Sequence, residues 1–444
     1  MKRVTTREIT QIVGGQPWGG VEAVVENVST DSRAIPENCL FIPLVGEHSD
    51  GHDYINKAMK AGAVAALFSR TPPVFWPQTY IEVKDTLLAL KDLAKWHRDQ
   101  FDIPVTAVTG SAGKTTTKEM IAAVLGRRLR THRTAGNYNN HIGVPLTLLA
   151  MPEDAQAAVI EAGMDHFGEI RYLGEMIRPT TAVITNIGDS HIDNLGSREG
   201  ILQAKSEIFE SLQPGGTVIL NGDDPLLRTL TLPFPIVYCG SGADCAYRFS
   251  EVEDRNIAGV DCTLTTPQGS CRLHIPAPGV HMAYAAAIAA AVGEQQGLTL
   301  EEIAQGVAAY APTGRRMRTV ALSGNRTLLD DCYNATPQSL AAALEILSKS
   351  EKTVAVLGDM FGLGDFTAQA HREAGALARR LGIGTIIAIG ERARDLSGDH
   401  WFATVEEALP RLAALTAEEG TVILVKASHA MGFERISAAL AGET

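Results

Sequence analysis

The 444-residue sequence has few cysteines, few aromatic residues and no long apolar run. Its six cysteines are scattered without a CxxC pair or metal-ligand spacing, which favours buried reduced thiols over disulfides or a structural zinc site. No apolar run reaches membrane-spanning length, and the first residues contain no apolar core of a signal peptide. We therefore expect a cytoplasmic protein without membrane insertion.

Positive charge is also scarce. Lysine and arginine together number 39 against 51 aspartates and glutamates, so the formal net charge is -12. This balance argues against a broad surface for nucleic acid, and any phosphate site must be a local basic pocket. The hydrophobic fraction of 45% is ample for folding. Because the chain is longer than one hydrophobic core usually organises, we expect three domains.

Strand-like runs alternate with helical stretches over most of the chain. Residues 1–98 predict a small mixed α/β domain. From 99 to 312 the alternation is typical of βαβ units and predicts a central domain with a mainly parallel sheet. Residues 313–444 repeat the pattern and predict a Rossmann-like domain. The polar segment 240–278 predicts an irregular or β-rich insertion. The predicted fold class is α/β with three domains.

The segment 109-TGSAGKTTTKEM-120 predicts a phosphate-binding loop between a strand and a helix. Gly110 and Gly113 let backbone N–H groups approach phosphate oxygens, Lys114 supplies a cation, and Thr115 offers an oxygen to Mg²⁺. The loop is shorter than the usual G-x-x-x-x-G-K-[ST] motif, and its alternative is an ordinary turn. The predicted nucleotide contacts are Gly110, Ser111, Ala112, Gly113, Lys114, Thr115 and Thr116. ATP or GTP is the expected ligand, which leaves a kinase, a motor and a ligase open.

Further motifs follow in order. They are 136-GNYNNHIGVPLTLL-149, 161-EAGMDHFGEI-170, 185-TNIGDSHIDNLGS-197 and 203-QAKSEIF-209. Together with the phosphate loop they resemble the Mur ligases over essentially the whole chain. The motifs 29-STDSR-33, 50-DGHDY-54, 332-CYNATPQSL-340 and 356-VLGDM-360 are most similar to the members that add D-alanyl-D-alanine to UDP-N-acetylmuramoyl-tripeptide.

The resemblance implies a monomeric, cytoplasmic enzyme that uses ATP and Mg²⁺. Its three domains would bind the uridine nucleotide substrate (1–98), bind ATP (99–312) and close over the site (313–444). The implied reaction activates the tripeptide carboxylate as an acyl phosphate, joins it to D-alanyl-D-alanine, and releases ADP and phosphate.

The resemblance also assigns metal ligands and a modified lysine. Thr115 and Glu161 match the ligands of the magnesium that bridges the nucleotide phosphates, and His191 matches a ligand near a second metal. Lys205 shares a helical face with apolar residues, where burial would favour a neutral amine that can react with carbon dioxide. It matches the lysine that is carbamylated in Mur ligases. The alternative is a lysine whose stem covers apolar surface.

Residues outside the phosphate loop receive roles by the same resemblance. Arg316 matches the linker arginine that reaches the γ-phosphate, with Arg315 as the competing assignment. Asp331, Tyr333 and Asn334 match residues near the ATP ribose and adenine. The predicted residues for the uridine-nucleotide substrate are Ser29, Asp31, Ser32, Arg33, Asn137, Asn139 and Asn140. For the asparagines the alternative is plain turn chemistry.

Some positions depart from the family pattern. Met282 and Ala285 stand where asparagines are usual, and Gly362 and His429 replace a glutamate and an arginine. Besides a ligase that adds D-alanyl-D-alanine, three alternatives remain. They are a Mur-type amide ligase with another amine, a nucleotide-binding scaffold without turnover, and a small-molecule kinase, which would not need Lys205.

Overall fold

The computed structural model describes residues 1–20, 22–47, 49–70 and 79–442. Its first part is a small mixed α/β unit. The strands are β1 (Val4–Thr5), β2 (Gln16–Trp18), β3 (Val24–Val25), β4 (Asn27–Ser29), β5 (Cys39–Phe41), β6 (Ala65–Phe68) and β7 (Thr79–Glu82). The helices are α1 (Thr6–Ile12), α2 (Ile55–Lys60) and α3 (Thr86–Arg98). The main sheet has the order β2-β7-β6-β5-β4, parallel except for the pairing of β2 with β7.

The middle of the chain forms a large, mainly parallel sheet. Its strands are β8 (Val105–Thr109), β9 (Thr131–Arg133), β10 (Ala157–Glu161), β11 (Thr181–Ile184), β12 (Thr217–Asn221), β13 (Ile236–Gly240), β14 (Tyr247–Asp254), β15 (Val260–Thr266) and β16 (Gly269–Ile275). They lie in the order β16-β15-β14-β13-β12-β11-β8-β10-β9. β14, β15 and β16 pair antiparallel, so the polar segment 240–278 extends the sheet. Of the two predicted forms of this segment, irregular or β-rich, the structure has the β-rich one.

Helices cover both faces of this sheet. They are α4 (Lys114–Leu125), α5 (Gly143–Leu149), α6 (Glu169–Ile177), α7 (Ile192–Leu195), α8 (Arg198–Ser206), α9 (Met282–Gln295) and α10 (Leu300–Ala308). The alanine-rich α9 is buried on almost every side and packs against α4, where small side chains allow close approach of the helices. Among the described residues, none of the helices combines the length and apolarity needed to cross a membrane.

The last part of the chain forms a third sheet with the order β17-β18-β22-β19-β20-β21, parallel except for β17. Its strands are β17 (Arg318–Leu322), β18 (Arg326–Asp330), β19 (Thr353–Gly358), β20 (Thr385–Ile389), β21 (His400–Phe402) and β22 (Val422–Lys426). Its helices are α11 (Pro337–Leu347), α12 (Thr367–Arg380), α13 (Val405–Leu415) and α14 (Glu434–Ala441). Separate hydrophobic clusters line its two faces. The predicted α/β class, with parallel sheets in the central and C-terminal regions, is confirmed.

The packing between the three regions positions the site. α3 joins the first unit to the middle sheet, because one apolar cluster runs from Val4 to Leu227, and the Arg98 guanidinium donates to the carbonyl of Ile177. The third region contacts the middle one through an ion pair between Lys349 and Asp254. The predicted boundaries at 98 and 312 stay predictions.

Candidate active site

A cavity of about 1450 Å³ lies at the carboxyl ends of the middle strands, between that sheet and the C-terminal region. Crevices at the carboxyl ends of parallel strands are the usual ligand sites of such sheets. Most of the predicted site residues line it. They are Ser111, Ala112, Gly113, Lys114, Thr115, Thr116, Asn137, Asn139, Asn140, Glu161, His191, Arg316, Asp331, Tyr333 and Asn334. The cavity therefore brings together residues that are more than 200 positions apart.

The predicted phosphate loop connects β8 to α4. Gly110 has φ +146°, and a Cβ there would lie 1.9 Å from the hydroxyl of Thr185, so only glycine fits. Gly113 has φ +77° and precedes the first residue of α4. The first turn of α4 has N–H groups without partners inside the helix, and they face the cavity end of the loop, where a helix favours an anion.

A second loop, at the end of β11, braces the phosphate loop. The amide of Ala112 donates to the side-chain oxygen of Asn186 (2.9 Å), and the Thr185 hydroxyl donates to the carbonyl of Ala112 (2.6 Å). The Ser111 N–H donates to the Asn186 carbonyl (3.1 Å). Two of the predicted phosphate-binding amides are thus occupied within the protein, which leaves the amides of the first turn of α4 for an anion.

Lys114 lies over this loop. Its Nζ donates to the carbonyl of Gly110 (2.7 Å). Burial lowers the pKa of Lys114, the charge of Glu161 raises it, and the charge of Arg316 lowers it again. Arg316 comes from the C-terminal region, so the two cations converge on the cavity from opposite sides. Such a pair suits a ligand that carries several negative charges.

Thr115 and Glu161, the two predicted ligands of one metal, are in contact. The Thr115 hydroxyl donates to Oε2 of Glu161 (2.8 Å), and Asn139 donates to Oε1 (2.8 Å). The Glu161 side chain is 1% exposed at the end of β10. A buried carboxylate beside a hydroxyl offers hard oxygen ligands, the kind that Mg²⁺ prefers. Among the described residues no cluster of three His, Cys, Asp or Glu side chains could hold a metal.

His191 precedes α7 in a left-handed backbone conformation (φ +64°), which is uncommon for a residue other than glycine. Its Nδ1 lies 3.0 Å from Oδ1 of Asp165. This hydrogen bond lowers the pKa of Asp165, and burial opposes the shift. The ring is therefore oriented from one side by a carboxylate, with the remaining nitrogen available to a ligand.

Lys205, on α8, does not line the cavity but is 1% exposed behind it. Burial lowers its pKa well below the ordinary value, and the charge of Lys114 lowers it further. No hydrogen bond or ion pair joins its Nζ to another part of the chain that the structure describes. Burial therefore favours the neutral amine, which is the form that reacts with carbon dioxide.

The two competing linker arginines have different surroundings. Arg315 donates to Asp330 (2.8 Å), whose side chain is only 1% exposed. Arg316 lines the cavity, and its guanidinium carbon lies 3.8 Å from the ring centre of Tyr333. The other face of that ring is near His429, with ring centres 5.4 Å apart. This geometry favours Arg316 as the residue that reaches a ligand.

Asp331 and Asn334 contact a lysine that received no predicted role. Lys426, which ends β22 and is 2% exposed, donates to Oδ2 of Asp331 (2.5 Å) and to the carbonyl of Asn334 (2.8 Å). Met317 donates its N–H to the other Asp331 oxygen (3.0 Å). These bonds hold the Asp331–Asn334 loop at the cavity wall.

The predicted substrate residues divide into two groups. Asn137, Asn139 and Asn140 line the cavity, and the side-chain oxygen of Asn140 also accepts from the amides of Ile142 and Gly143 at the start of α5. The second group lies outside the cavity, in the loop after β4. Its members are Ser29, Asp31, Ser32 and Arg33.

The loop after β4 is held by its own hydrogen bonds. Arg33 pairs with Asp31 (2.9 Å) while its side chain remains 80% exposed, and these hydrogen bonds lower the pKa of Asp31 to about 2. The structure does not bring this loop to the phosphate site, so a substrate that touches both must be extended. The substrate roles of these residues stay predictions.

Met282 and Ala285, the departures on α9, line the cavity on its middle-sheet side. Next to them Tyr284 donates its phenol to Asp223 (2.8 Å), which also accepts from the amide of Ser241 (2.7 Å). The lining here combines the apolar Met282 and Ala285 with the fixed Asp223 carboxylate, a combination suited to the flat face and polar edge of a base.

Sequence reasoning assigned no role to Thr185, Asn186, Asp165, Lys118 and Lys426. The first three lie in motifs that carried the family resemblance, but their contacts with the phosphate loop and His191 depend on tertiary packing. Lys118 follows Lys114 by four residues on α4, and this spacing places both on one helix face. That spacing is the feature of the sequence that could have indicated a role for Lys118.

Comparison with family models gives three matches along the chain. The Mur ligase family catalytic domain matches residues 24–98, the Mur ligase middle domain matches 108–293, and the Mur ligase glutamate ligase domain matches 315–429.

Individual relatives agree. A Bacillus subtilis protein named UDP-N-acetylmuramoyl-tripeptide–D-alanyl-D-alanine ligase is 38% identical, with 94% of this chain and 93% of that protein covered. An Escherichia coli protein of the same name is 37% identical, with 99% of each covered. The crystal structure of MurF from Acinetobacter baumannii superposes with a TM-score of 0.90 at 31% identity, covering 100% of this chain and 99% of that one. The chain belongs to the Mur ligase family.

Proposed function

We propose that the protein is an ATP-dependent amide ligase that adds D-alanyl-D-alanine to UDP-N-acetylmuramoyl-tripeptide through an acyl phosphate. The observation that carries the proposal is the convergence of Lys114, the Thr115–Glu161 pair, His191 and Arg316 on one cavity. Full-length relatives with the name of this activity support the choice of substrates.

The first step brings two anions together. A carboxylate oxygen of the tripeptide attacks the γ-phosphorus of ATP, the bond from that phosphorus to the β,γ-bridging oxygen breaks, and ADP leaves. Repulsion between the carboxylate and the triphosphate opposes this approach, so catalysis depends on positioning and charge neutralisation. Lys114 and the first-turn amides of α4 hold the phosphates, and Arg316 meets the γ-phosphoryl group from the opposite wall.

Mg²⁺ fits the oxygen donors present. Thr115 and Glu161 would hold it against the nucleotide phosphates, and His191, with Lys205 as its carbamate, would serve a second ion. Bound there, the metal supplies neutralisation of phosphate charge. The buried surroundings of Glu161 and the hydrogen bond from Asn139 keep the carboxylate in one orientation.

The second step forms the amide. The amine of D-alanyl-D-alanine attacks the acyl carbon, a proton leaves the nitrogen, and inorganic phosphate departs with both electrons of the C–O bond. Sequestration of the cavity between the middle and C-terminal regions protects the acyl phosphate from water. The product is UDP-N-acetylmuramoyl-pentapeptide.

The proposal extends to the whole molecule. Residues 1–98 would bind the uridine nucleotide through Ser29, Asp31, Ser32 and Arg33, and an extended substrate would reach the cavity past Asn137 and Asn139. The 99–312 domain would bind ATP, and 313–444 would complete the site with Asp331 and Asn334. We assign the enzyme to the cytoplasm as a monomer.

Phosphate release tests the proposal. The protein is incubated with ATP, Mg²⁺ and UDP-N-acetylmuramoyl-tripeptide, with and without D-alanyl-D-alanine, and the product mass is determined. We expect phosphate release that depends on the dipeptide and a pentapeptide product. Release with another amine only would indicate a different amide ligase. A stable phosphorylated product would indicate a kinase, and ATP binding without release in any mixture would indicate a scaffold.

A further inference from the structure

Lys118 is a fully buried cation next to the predicted metal ligand. Its side chain is 0% exposed, and its Nζ donates to the carbonyls of Thr134 (2.6 Å) and Gly136 (3.3 Å). The same atom lies 3.0 Å from Oε1 of Glu119 and 3.9 Å from Oε2 of Glu161. A lysine is rarely buried to this extent unless it is paired and hydrogen-bonded, and here all its protons have acceptors.

Lys118 does not touch the cavity, so it can act only through its neighbours. One neighbour is Thr134, which is fixed between β10 and α4. Its amide donates to the carbonyl of Val159 (3.1 Å), its hydroxyl accepts from the amide of Glu161 (2.9 Å), and its carbonyl accepts from Lys118. The start of the 134–140 loop therefore has one position relative to α4 and β10.

The far end of the same loop returns to Glu161. Asn139 donates from its side chain to Glu161 Oε1 (2.8 Å), and its carbonyl accepts from the amide of Gly163 (2.8 Å). Thr115, three residues before Lys118 on α4, holds the other carboxylate oxygen. Thr115 and Lys118, both on α4, thus contact the Glu161 carboxylate and the 134–140 loop, respectively.

We propose that Lys118 is a positioning residue that locks the 134–140 loop and the Glu161 carboxylate to the helix that binds the nucleotide phosphates. The inference rests on the proposed function and goes beyond it. It identifies a residue that keeps the nucleotide-binding side and the acceptor-binding side of the cavity in one relative position. Movement of the loop would displace Asn139 and Glu161 together. A displacement of about 1 Å at such groups costs on the order of 100-fold in rate.

Glu119 supplies the matched control. It also contacts the Lys118 ammonium, but its other oxygen pairs with Arg133 (2.8 Å) near the surface, and it touches neither Glu161 nor the loop 134–140 carbonyls. If Lys118 serves only to satisfy a buried charge on α4, loss of either partner should matter alike. If it positions the loop, Glu119→Gln should be mild and Lys118→Met severe.

The experiment compares the wild type with Lys118→Met, Lys118→Gln and Glu119→Gln in the full chain. Hydrogen exchange followed by mass spectrometry reports on the 134–140 segment and, as an internal reference, on α9, both with ADP and Mg²⁺ and without them. ADP titration by calorimetry gives the fraction of competent sites. Phosphate release then gives kcat per competent site and the KM for ATP.

For Lys118→Met we expect exchange in 134–140 at least about tenfold faster, with α9 unchanged, because the loop loses its buried anchor. We expect kcat to fall about 100-fold and the KM for ATP to rise by a smaller factor, because Glu161 moves with the loop while the amides of α4 still hold the phosphates. Lys118→Gln, which keeps a donor, should be intermediate. Glu119→Gln should stay within about threefold of the wild type in kcat.

Unchanged exchange in 134–140, or a kcat of Lys118→Met within about threefold of the wild type, would overturn the positioning role. Failure of both Lys118 variants to fold would also overturn it, since Lys118 would then serve stability alone. The exchange measurement needs only ADP and Mg²⁺. A wild type without dipeptide-dependent release but with a loosened loop in Lys118→Met would therefore refute the proposed ligase reaction and not the role of Lys118.

Discussion

The Thr115 hydroxyl, at the start of a helix, donates a 2.8 Å hydrogen bond to the Glu161 carboxylate at the end of a neighbouring strand. The two residues are 46 positions apart. Both are almost completely buried, at 4% and 1% exposure. Their contact places a hydroxyl and a carboxylate oxygen together at the first turn of α4, where the proposed reaction has Mg²⁺ and the nucleotide phosphates meet.

Replacement of Thr115 by valine should weaken magnesium-dependent nucleotide binding. Valine has nearly the same shape but offers no oxygen, so the expected loss in magnesium affinity is about 10- to 100-fold. Thr115→Ser keeps the oxygen and should lose far less. Calorimetric titration with ADP at several Mg²⁺ concentrations measures the effect. Equal affinities for the valine and serine variants would exclude Thr115 as a ligand.

Substitutions of the two linker arginines should have different effects, one on kcat and the other on the free energy of unfolding. Arg316→Ala should lower kcat by roughly a thousandfold, because an arginine that meets a transferring phosphoryl group stabilises charge only in the transition state. Arg315→Ala should leave Asp330 buried without its cation and lower the free energy of unfolding by about 2 kcal/mol. Phosphate release and urea unfolding measure the two quantities. The reverse pattern would assign the linker role to Arg315.

Lys205 should be carbamylated. The expected product of its neutral amine with carbon dioxide is an anion, detectable as a new carbon resonance after incubation with ¹³C-bicarbonate at mildly alkaline pH. Lys205→Gln should abolish that resonance, and Lys91→Gln, at a partly exposed lysine, should retain it. Absence of any resonance in the wild type would favour the alternative in which the lysine stem only packs on apolar surface.

The free energy of unfolding should fall at acidic pH because His97 is buried as a neutral ring. Burial lowers the pKa of this fully buried ring to about 4 from 6.5, and the neighbouring N-terminal amine, His132 and Lys2 act in the same direction. The unfolded chain binds a proton below pH 6.5 and the folded chain does not until about pH 4. Stability is therefore lost as the pH falls through this window, by roughly 3 kcal/mol.

Urea unfolding between pH 7.5 and 4.5 measures this dependence. His97→Gln should have a lower free energy of unfolding at neutral pH, since the bonds to Met151 and Lys2 are disturbed, but a shallower decline with acid. His400→Gln, at an exposed ring, should decline like the wild type. A decline in His97→Gln as steep as in the wild type would assign the acid sensitivity to other groups.

Local sequence determined the fold class and the strand–turn–helix geometry of the predicted phosphate loop. The loop needs a strand, two glycines, a lysine and a helix start, and these stand within twelve consecutive residues, so no distant contact had to be known. The alternation of apolar runs and helices likewise identifies parallel sheets, because its periodicity is a property of each segment. The β-rich character of 240–278 was also predicted, but not that its strands extend the middle sheet.

Tertiary structure decided which residues meet. Sequence reasoning favoured Arg316 with Arg315 as the alternative, and the structure adds that Arg315 pairs with the buried Asp330 while Arg316 lines the cavity. Sequence reasoning assigned Asn140 a substrate role, which stays a prediction, and the folded side chain also accepts from the amides of Ile142 and Gly143. It assigned nothing to Lys118, whose acceptors Thr134, Gly136 and Glu161 lie on other elements. The periodicity of a segment can be read from that segment alone. The role of a buried charge depends on the groups that surround it, and those groups come from distant parts of the chain.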